Sequence, residues 1–420
     1  MEQETKCVQS GYTPGNGEPR VLPISMSTTF KYDSTEDVGD LFDLKKEGFF
    51  YTRLSNPTVA AVEAKINDLE GGVGAMMTSS GQAATLIAIT NLAQAGDHII
   101  SASEVYGGTV NLLAVTLKKF GIETTFADIN NERELSAAIK DNTKLIFAET
   151  IANPAVTVTD IEKAARVAHE HKIPLIIDNT FATPVICRPF DFGADIVVYS
   201  TSKYLDGHAV ALGGMIVDGG RFNYAASGKF PGLTEPDESY HGISYTQTFG
   251  SAAYITKARV QLMRDLGSAP SPMNAFLLNL GLETLHLRMP AHSENALEVA
   301  RLLKSSKAVK SVRYPALYGD KSYDLCRKYC KGKGSGVISF ELESREKAVK
   351  FMDGLRLAAV VVHVADARTC VLHPASSTHR QLTNEQLAAA GITEGTIRLS
   401  VGIESKVDIM KDIERGLSNL

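Results

Sequence analysis

Residues 196–207 read IVVYSTSKYLDG, an apolar run that ends in Ser200, Thr201 and Ser202 and then in an amine, Lys203. Hydroxyls and backbone N–H groups suit a phosphate, and a lysine beside them suits a reactive carbonyl. The plain alternative is a strand that surfaces and turns. Other apolar runs end in comparable ways. GAMMT leads into Ser79-Ser80-Gly81-Gln82, small residues that open a helix. A helix N-terminus offers free N–H groups and a positive dipole end to a phosphate, though most such starts are only caps. HIISASEV leads into Tyr106-Gly107-Gly108, where a ring followed by glycines can lie over a flat ligand or simply turn. IPLII leads into Asp178-Asn179-Thr180. A carboxylate ending a buried run is costly unless it meets a partner, which a helix N-terminus or a protonated heterocyclic nitrogen can supply.

Together these ends describe one ligand. They supply a phosphate cradle (Ser80, Gly81, Gln82, Ser200, Ser202), a stacking ring (Tyr106), an acid for a ring nitrogen (Asp178) and an amine for an aldehyde (Lys203). Pyridoxal 5'-phosphate needs this set: a Schiff-base lysine and a partner for its pyridine nitrogen. Nucleotide chemistry fits less well. GGVGAMMTSSG does not scan as G-x-G-x-x-G, and neither a P-loop nor H-E-x-x-H occurs. His169 and His171, two apart in AHEHK, read as solvated helix positions.

These residues need a scaffold that brings strand ends together. From about residue 60 short apolar runs alternate with helical patterns. The strand candidates are GAMMTS, HIISAS, IETTFADI, TKLIFAET, IPLIIDNT, ADIVVYST and GGMIVDG. Between them lie helix candidates such as QAATLIAITNLAQAG, GTVNLLAVTLKKFG and DIEKAARVAHEHK, the last with Asp160 as N-cap. The alternation predicts an α/β fold with a mostly parallel seven-stranded sheet covered on both faces. In such sheets ligands bind beyond the carboxyl ends of the strands. Residues 1–58 are rich in Gly, Pro, Ser and Thr and read as an arm that packs on something else. Residues 59–270 read as the large cofactor-binding domain. Residues 271–420, with VKSVRYP, GVISFELES, VVVHVAD and TIRLSVG, read as a smaller α/β domain.

Composition agrees with a globular protein. The chain has 420 residues, 44% hydrophobic and 22% charged, with a net charge of -5 that gives no general attraction to nucleic acid or anionic membrane. No apolar run is long enough to span a bilayer, and the opening MEQETKCVQSGYTPGNG does not read as a secretory signal. Five scattered cysteines fit a reducing cytoplasm better than a disulfide framework. Cys326 and Cys330 stand at helical spacing, but no second ligand pair follows at zinc spacing, so no metal is expected.

The motifs YSTSKYLDGH, AETIANPAVTVTDI, PLIIDNTFATP, TSSGQAA, YTRLSNPT and TIRLSVGIE closely resemble the Cys/Met-metabolism, or trans-sulfuration, family of pyridoxal phosphate enzymes. The likeness runs from about residue 5 to the end. It implies fold-type I, the aspartate-aminotransferase-like subunit, assembled as a homotetramer of two active dimers. It also implies roles. Lys203 forms the Schiff base, Tyr106 stacks on the cofactor and assists catalysis at the γ-carbon, Asp178 binds the cofactor's nitrogen, and Ser80, Gly81, Gln82, Ser200 and Ser202 hold its phosphate. Tyr51 and Arg53 of YTR are given to the phosphate of the neighbouring subunit. Arg398 clamps the substrate α-carboxylate, and Asn153 sits near the cofactor's phenolic oxygen or that carboxylate.

Within the family, GKFPGLTEPDESYHG, LGLETLHLRM and HPASSTHRQLT look like O-acetylhomoserine sulfhydrylases, which form a carbon–sulfur bond in methionine biosynthesis. Tyr240 and His241 of the first stretch are candidates to line or cover the site. Methionine gamma-lyases typically carry a cysteine where this chain has Gly108. The implied reaction is γ-replacement on O-acetyl-L-homoserine by sulfide or methanethiol, with γ-elimination from methionine or cystathionine as the rival. A silent oligomer is a third reading; the complete set Lys203, Asp178, Tyr106 and Arg398 argues against it. Two departures stand out. His363-Val364-Ala365-Asp366 replaces a pattern of Asn or Ser, a small hydrophobe, and Gly-Asp that helps bind the carboxylate, so His363 or its backbone inherits that role. Gln82 stands where methionine is common, which a backbone N–H role tolerates.

Overall fold

A computed structural model of the chain describes residues 1–380, 387 and 391–420. Residues 381–383, the last three of HPASSTHRQLT, lie outside the described residues. The first long helix, Pro57–Glu70, shows how local sequence sets boundaries. The Asn56 side chain accepts from the N–H groups of Thr58 and Val59, Pro57 takes the first turn, and Gly71 ends it at φ +81°.

All seven apolar runs form strands: β1 Gly74–Thr78, β2 His98–Ala102, β3 Glu123–Ala127, β4 Thr143–Glu149, β5 Leu175–Asp178, β6 Ile196–Ser200 and β7 Gly214–Asp218. Their order in the sheet is β1-β7-β6-β5-β4-β2-β3. Only β7 runs antiparallel to its neighbours. The carboxyl ends of β1, β2, β4, β5 and β6 therefore share one edge. Central strands are buried on both faces, from Ile146 to Ala148 and Ile196 to Tyr199, which is why they read as continuous apolar runs. Asp160 caps the helix Ile161–Glu170 as expected, through the N–H of Lys163.

The remaining strands are β8 Ser311–Arg313, β9 Val337–Glu341, β10 Ala359–Val360, β11 Cys370–Leu372 and β12 Thr396–Ser400, in the order β10-β11-β12-β9-β8. A separate apolar cluster fills the space between this sheet and its helices, with Val299 and Leu303 against Phe340, Ile397 and Ile413. Of VVVHVAD only Val360 belongs to a strand; the rest is loop, and that loop reaches the site described below. His169 is not merely solvated: its Nε2 lies 2.8 Å from the buried Asp195 carboxylate, and that bond raises the ring's pKa. The five cysteines are all buried and free. Among the described residues no helix is long and apolar enough to cross a membrane, and no group of three or more His, Cys, Asp or Glu could hold a metal ion.

Candidate active site

Beyond the shared carboxyl edge lies a cavity of about 200 Å³, lined by Ser80, Gly81, Gln82, Tyr106, Asn153, Asp178, Ser200, Lys203 and Arg398. Nine of the residues expected to do chemistry thus meet in one place.

Lys203 sits in the turn after β6, half-buried. Its Nζ lies 3.3 Å from His363 Nδ1. Burial, and then the charge of Arg398, lowers the amine to about 8. A lysine so placed can both take and return protons near neutral pH.

Asp178 ends β5 and faces the cavity. Its Oδ1 accepts from the Thr180 N–H at 2.9 Å and the Thr180 hydroxyl at 2.5 Å. Its second oxygen has no hydrogen-bond partner among the described residues. Glu149, at the end of β4, stands directly beside it in register. Burial, and the charge of Asp178, push the Glu149 carboxyl well above its usual range, and burial raises Asp178 as well. Glu149 was not singled out in the sequence, although TKLIFAET ends in an acid as IPLIIDNT does. It accepts from the N–H of Tyr106 at 2.7 Å and of Asn153 at 2.9 Å, so it ties two site residues to the sheet.

The cavity wall at the start of the helix Gly81–Thr90 is built from backbone. The Ser80 hydroxyl caps the ten-residue helix Gly81–Thr90 through the N–H of Ala83. The N–H groups of Gly81 and Gln82 stand at the helix start, where no intrahelical acceptor exists. A Cβ on Gly81 would lie 2.6 Å from Ser200 Cβ, so only glycine lets the helix start approach β6 this closely. Ser200 lines the cavity, but Ser202 does not. Its hydroxyl accepts from the Gly213 N–H at 3.0 Å and donates to the Gly213 carbonyl at 3.3 Å, bracing the loop before β7.

Tyr106 precedes the helix Gly107–Asn111 and is 38% exposed. Its ring folds back over Gly108, where a Cβ would meet Tyr106 Cε1 at 2.5 Å and Gln82 Nε2 at 3.0 Å. Arg398, on β12, is buried and has no carboxylate partner among the described residues. It donates to Asn153 Oδ1 at 3.2 Å and to the His363 carbonyl at 2.9 Å. A buried cation held only by neutral groups is prepared for an anion.

Tyr51 and Arg53 do not join this cavity. The Arg53 guanidinium lies 5.2 Å from the Tyr51 ring centre, and its Nη1 donates to the Arg264 carbonyl. Both line a second cavity of about 1020 Å³. Tyr240 and His241 line that second cavity too, not the one at Lys203. Tyr240 donates to the Val260 carbonyl at 2.7 Å.

The Lys203 cavity fits pyridoxal 5'-phosphate on its own geometry: a helix start kept open by Gly81, a carboxylate oxygen left free on Asp178, and an amine of lowered basicity lining the same cavity. The chain is 42% identical to an O-acetyl-L-homoserine sulfhydrylase of Leptospira meyeri, across all of this chain and 97% of that protein. It is 41% identical to a homocysteine synthase of Schizosaccharomyces pombe, across 99% and 97%. A crystal structure from Campylobacter jejuni, described as an O-acetylhomoserine (thiol)-lyase with N'-pyridoxyl-lysine-5'-monophosphate, superimposes with a TM-score of 0.97 at 37% identity over the whole of both chains. The metB structure of Corynebacterium glutamicum follows with a TM-score of 0.86 at 31% identity, across 100% of this chain and 98% of that one. Residues 4–418 match the family described as Cys/Met metabolism PLP-dependent enzymes, and with the cofactor-shaped site at its sheet edge the chain belongs to that family.

Proposed function

We propose that this enzyme catalyses γ-replacement: O-acetyl-L-homoserine and sulfide, or methanethiol, give L-homocysteine, or L-methionine, and acetate. The full-length likeness to proteins named for this reaction supports the substrate class. The observation that carries the choice over γ-elimination is Gly108 itself. Glycine sets no side chain, and so no thiol, beside the Tyr106 ring that folds over it. A site without such aid favours acetate, a much better leaving group than methanethiolate.

Pyridoxal 5'-phosphate, when bound, supplies an aldehyde for the substrate amine and a ring that withdraws charge from Cα. Arg398 binds the α-carboxylate with its two Nη groups, steadied by Asn153 and the His363 carbonyl. Asp178 holds the ring nitrogen through its free oxygen. The N–H groups of Gly81 and Gln82, with the hydroxyls of Ser80 and Ser200, would hold the cofactor's phosphate. Ser202 acts by bracing the loop. Tyr106 covers the ring plane. Lys203 takes the proton from Cα and then serves Cβ; acetate departs from Cγ, sulfur takes its place, and the protons return. The same reading gives Tyr51 and Arg53 to a neighbouring subunit, in a cytoplasmic homotetramer of two active dimers. It also keeps residues 1–58 as the arm, 59–270 as the large domain and 271–420 as the small one.

The deciding measurement is kcat/KM for O-acetylhomoserine with saturating sulfide, set against kcat/KM for methionine breakdown to 2-oxobutanoate. The ester is expected to lead by about tenfold or more, ~1.4 kcal/mol of barrier. A methionine value equal or higher would leave γ-elimination standing.

A further inference from the structure

The turn that carries His363 is fixed by β12. Ala365, buried, adopts φ +69°, a left-handed conformation costly for a residue with a Cβ. Its N–H donates to Ser400 Oγ at 2.8 Å, and the His363 carbonyl accepts from Arg398 at 2.9 Å. The backbone of His363 is thus spent on Arg398, and its side chain is free for something else.

That side chain points at Lys203, with Nδ1 3.3 Å from Nζ. No other side-chain partner for Nζ is found among the described residues. On the far side, His363 Nε2 is buried without a hydrogen bond and lies 3.8 Å from the Asp366 carboxylate. The charges around the ring are Lys203, Arg398, Asp366 and Asp206, with the Cys370 thiol against its carbonyl. Burial, and then the charge of Lys203, lowers the ring to about 4. The imidazole is therefore neutral at ordinary pH. Facing an amine, a neutral ring presents its lone pair at Nδ1 and carries its proton on Nε2, toward Asp366.

We propose that His363 is a positioning residue for Lys203, its Nδ1 accepting a hydrogen bond from Nζ and holding the free amine or ammonium in place between substrate Cα and Cβ. The proposal rests on the γ-replacement reading, in which Lys203 must move protons while unattached. Lysine has a flexible four-carbon stem, so a loose amine spends much of its time misaligned. A ring at about 4 is a far weaker base than an amine at about 8, so the proton stays on Nζ and His363 does not relay it.

The test uses the apoprotein first. The pH dependence of Lys203 acylation by an amine-reactive reagent, read by mass spectrometry, gives the pKa of Nζ in wild type, His363→Asn and His363→Phe. Phe keeps the ring shape and removes the acceptor, so the ammonium loses a stabilising bond. The midpoint is expected to fall by about half a pH unit or more, and Asn, with its carbonyl, to recover most of the shift. In the holoenzyme Phe should lower kcat about tenfold with little change in KM for the amino-acid substrate, while Asn stays within about threefold of wild type. A Phe midpoint equal to wild type overturns the proposal. So does an Asn variant as slow as Phe, which would make the ring a proton relay. If Phe does not fold, His363→Leu is read the same way. Should wild type fail to use O-acetylhomoserine, the functional reading falls, while the labelling midpoints still judge the His363 contact.

Discussion

Arg398 carries its charge into a site where only 4% of it is exposed and where its hydrogen-bond acceptors are Asn153 Oδ1 and the His363 carbonyl. Burial lowers its pKa, an expression of how poorly a buried place with only neutral acceptors suits a cation. On the proposed reading a substrate carboxylate would take both Nη groups at once. Lysine would keep the charge but not the planar fork. Arg398→Lys is therefore expected to raise KM for O-acetylhomoserine about ten- to a hundredfold, with a smaller change in kcat, because this contact exists before and during the reaction. Steady-state kinetics at saturating sulfide checks it. An unchanged KM would move the carboxylate site elsewhere in the cavity. Asn153, 245 residues away in the chain, should share the effect in milder form, since it holds only one of the two Nη groups.

The helix Gly81–Thr90 and β6 are the elements given to the phosphate in the proposed reading, and their contact allows no methyl group. Gly81→Ala places a Cβ 2.6 Å from Ser200 Cβ and 2.8 Å from Ser200 Cα, so the helix start must retreat from the strand. The fold has other support, since the helix buries Ala84, Ile87, Ala88 and Ile89. The expected outcome is retained helicity by circular dichroism with cofactor affinity weakened about tenfold or more, read by titrating the apoprotein with pyridoxal 5'-phosphate. Wild-type affinity in the variant would remove the helix start from the phosphate site. This edge was legible in the sequence because parallel strands buried on both faces stand out as apolar runs, and their ends announce the next residues. What lay outside such runs was not legible. β11 is only three residues long, and the loop after Val360 is as apolar as a strand without being one. Glu149 carried the same signal as Asp178 but no partner in the local sequence. Its partners, the N–H groups of Tyr106 and Asn153, appear only once the chain is folded.

Across the whole molecule charge and cavity do not balance within one chain. The cavity at Lys203 is lined by two cations, Lys203 and Arg398, assigned here to the amine chemistry and the carboxylate. The proposed phosphate cradle, made of Ser80, Gly81, Gln82 and Ser200, contains none. A phosphate dianion held by neutral donors alone lacks a counter-charge in a partly buried place. Arg53 and Tyr51 carry the chemistry it lacks, yet they line the second cavity of about 1020 Å³. Around them the arm exposes large apolar side chains, Phe42 at 58% and Met26 at 67%. A second copy of the chain related by a two-fold axis would bring each arm to the other subunit's cradle. The prediction is complementation. A Tyr51→Phe, Arg53→Ala subunit and a Lys203→Ala subunit should each be nearly inactive alone. Mixed in equal amounts and allowed to exchange, half of the dimers become hybrids, and each hybrid holds one cradle and lysine intact with an intact arm. About a quarter of wild-type turnover should return. Native mass spectrometry reports whether hybrids have formed. Hybrids present without recovered turnover would place Tyr51 and Arg53 outside the shared site and leave the phosphate to neutral donors.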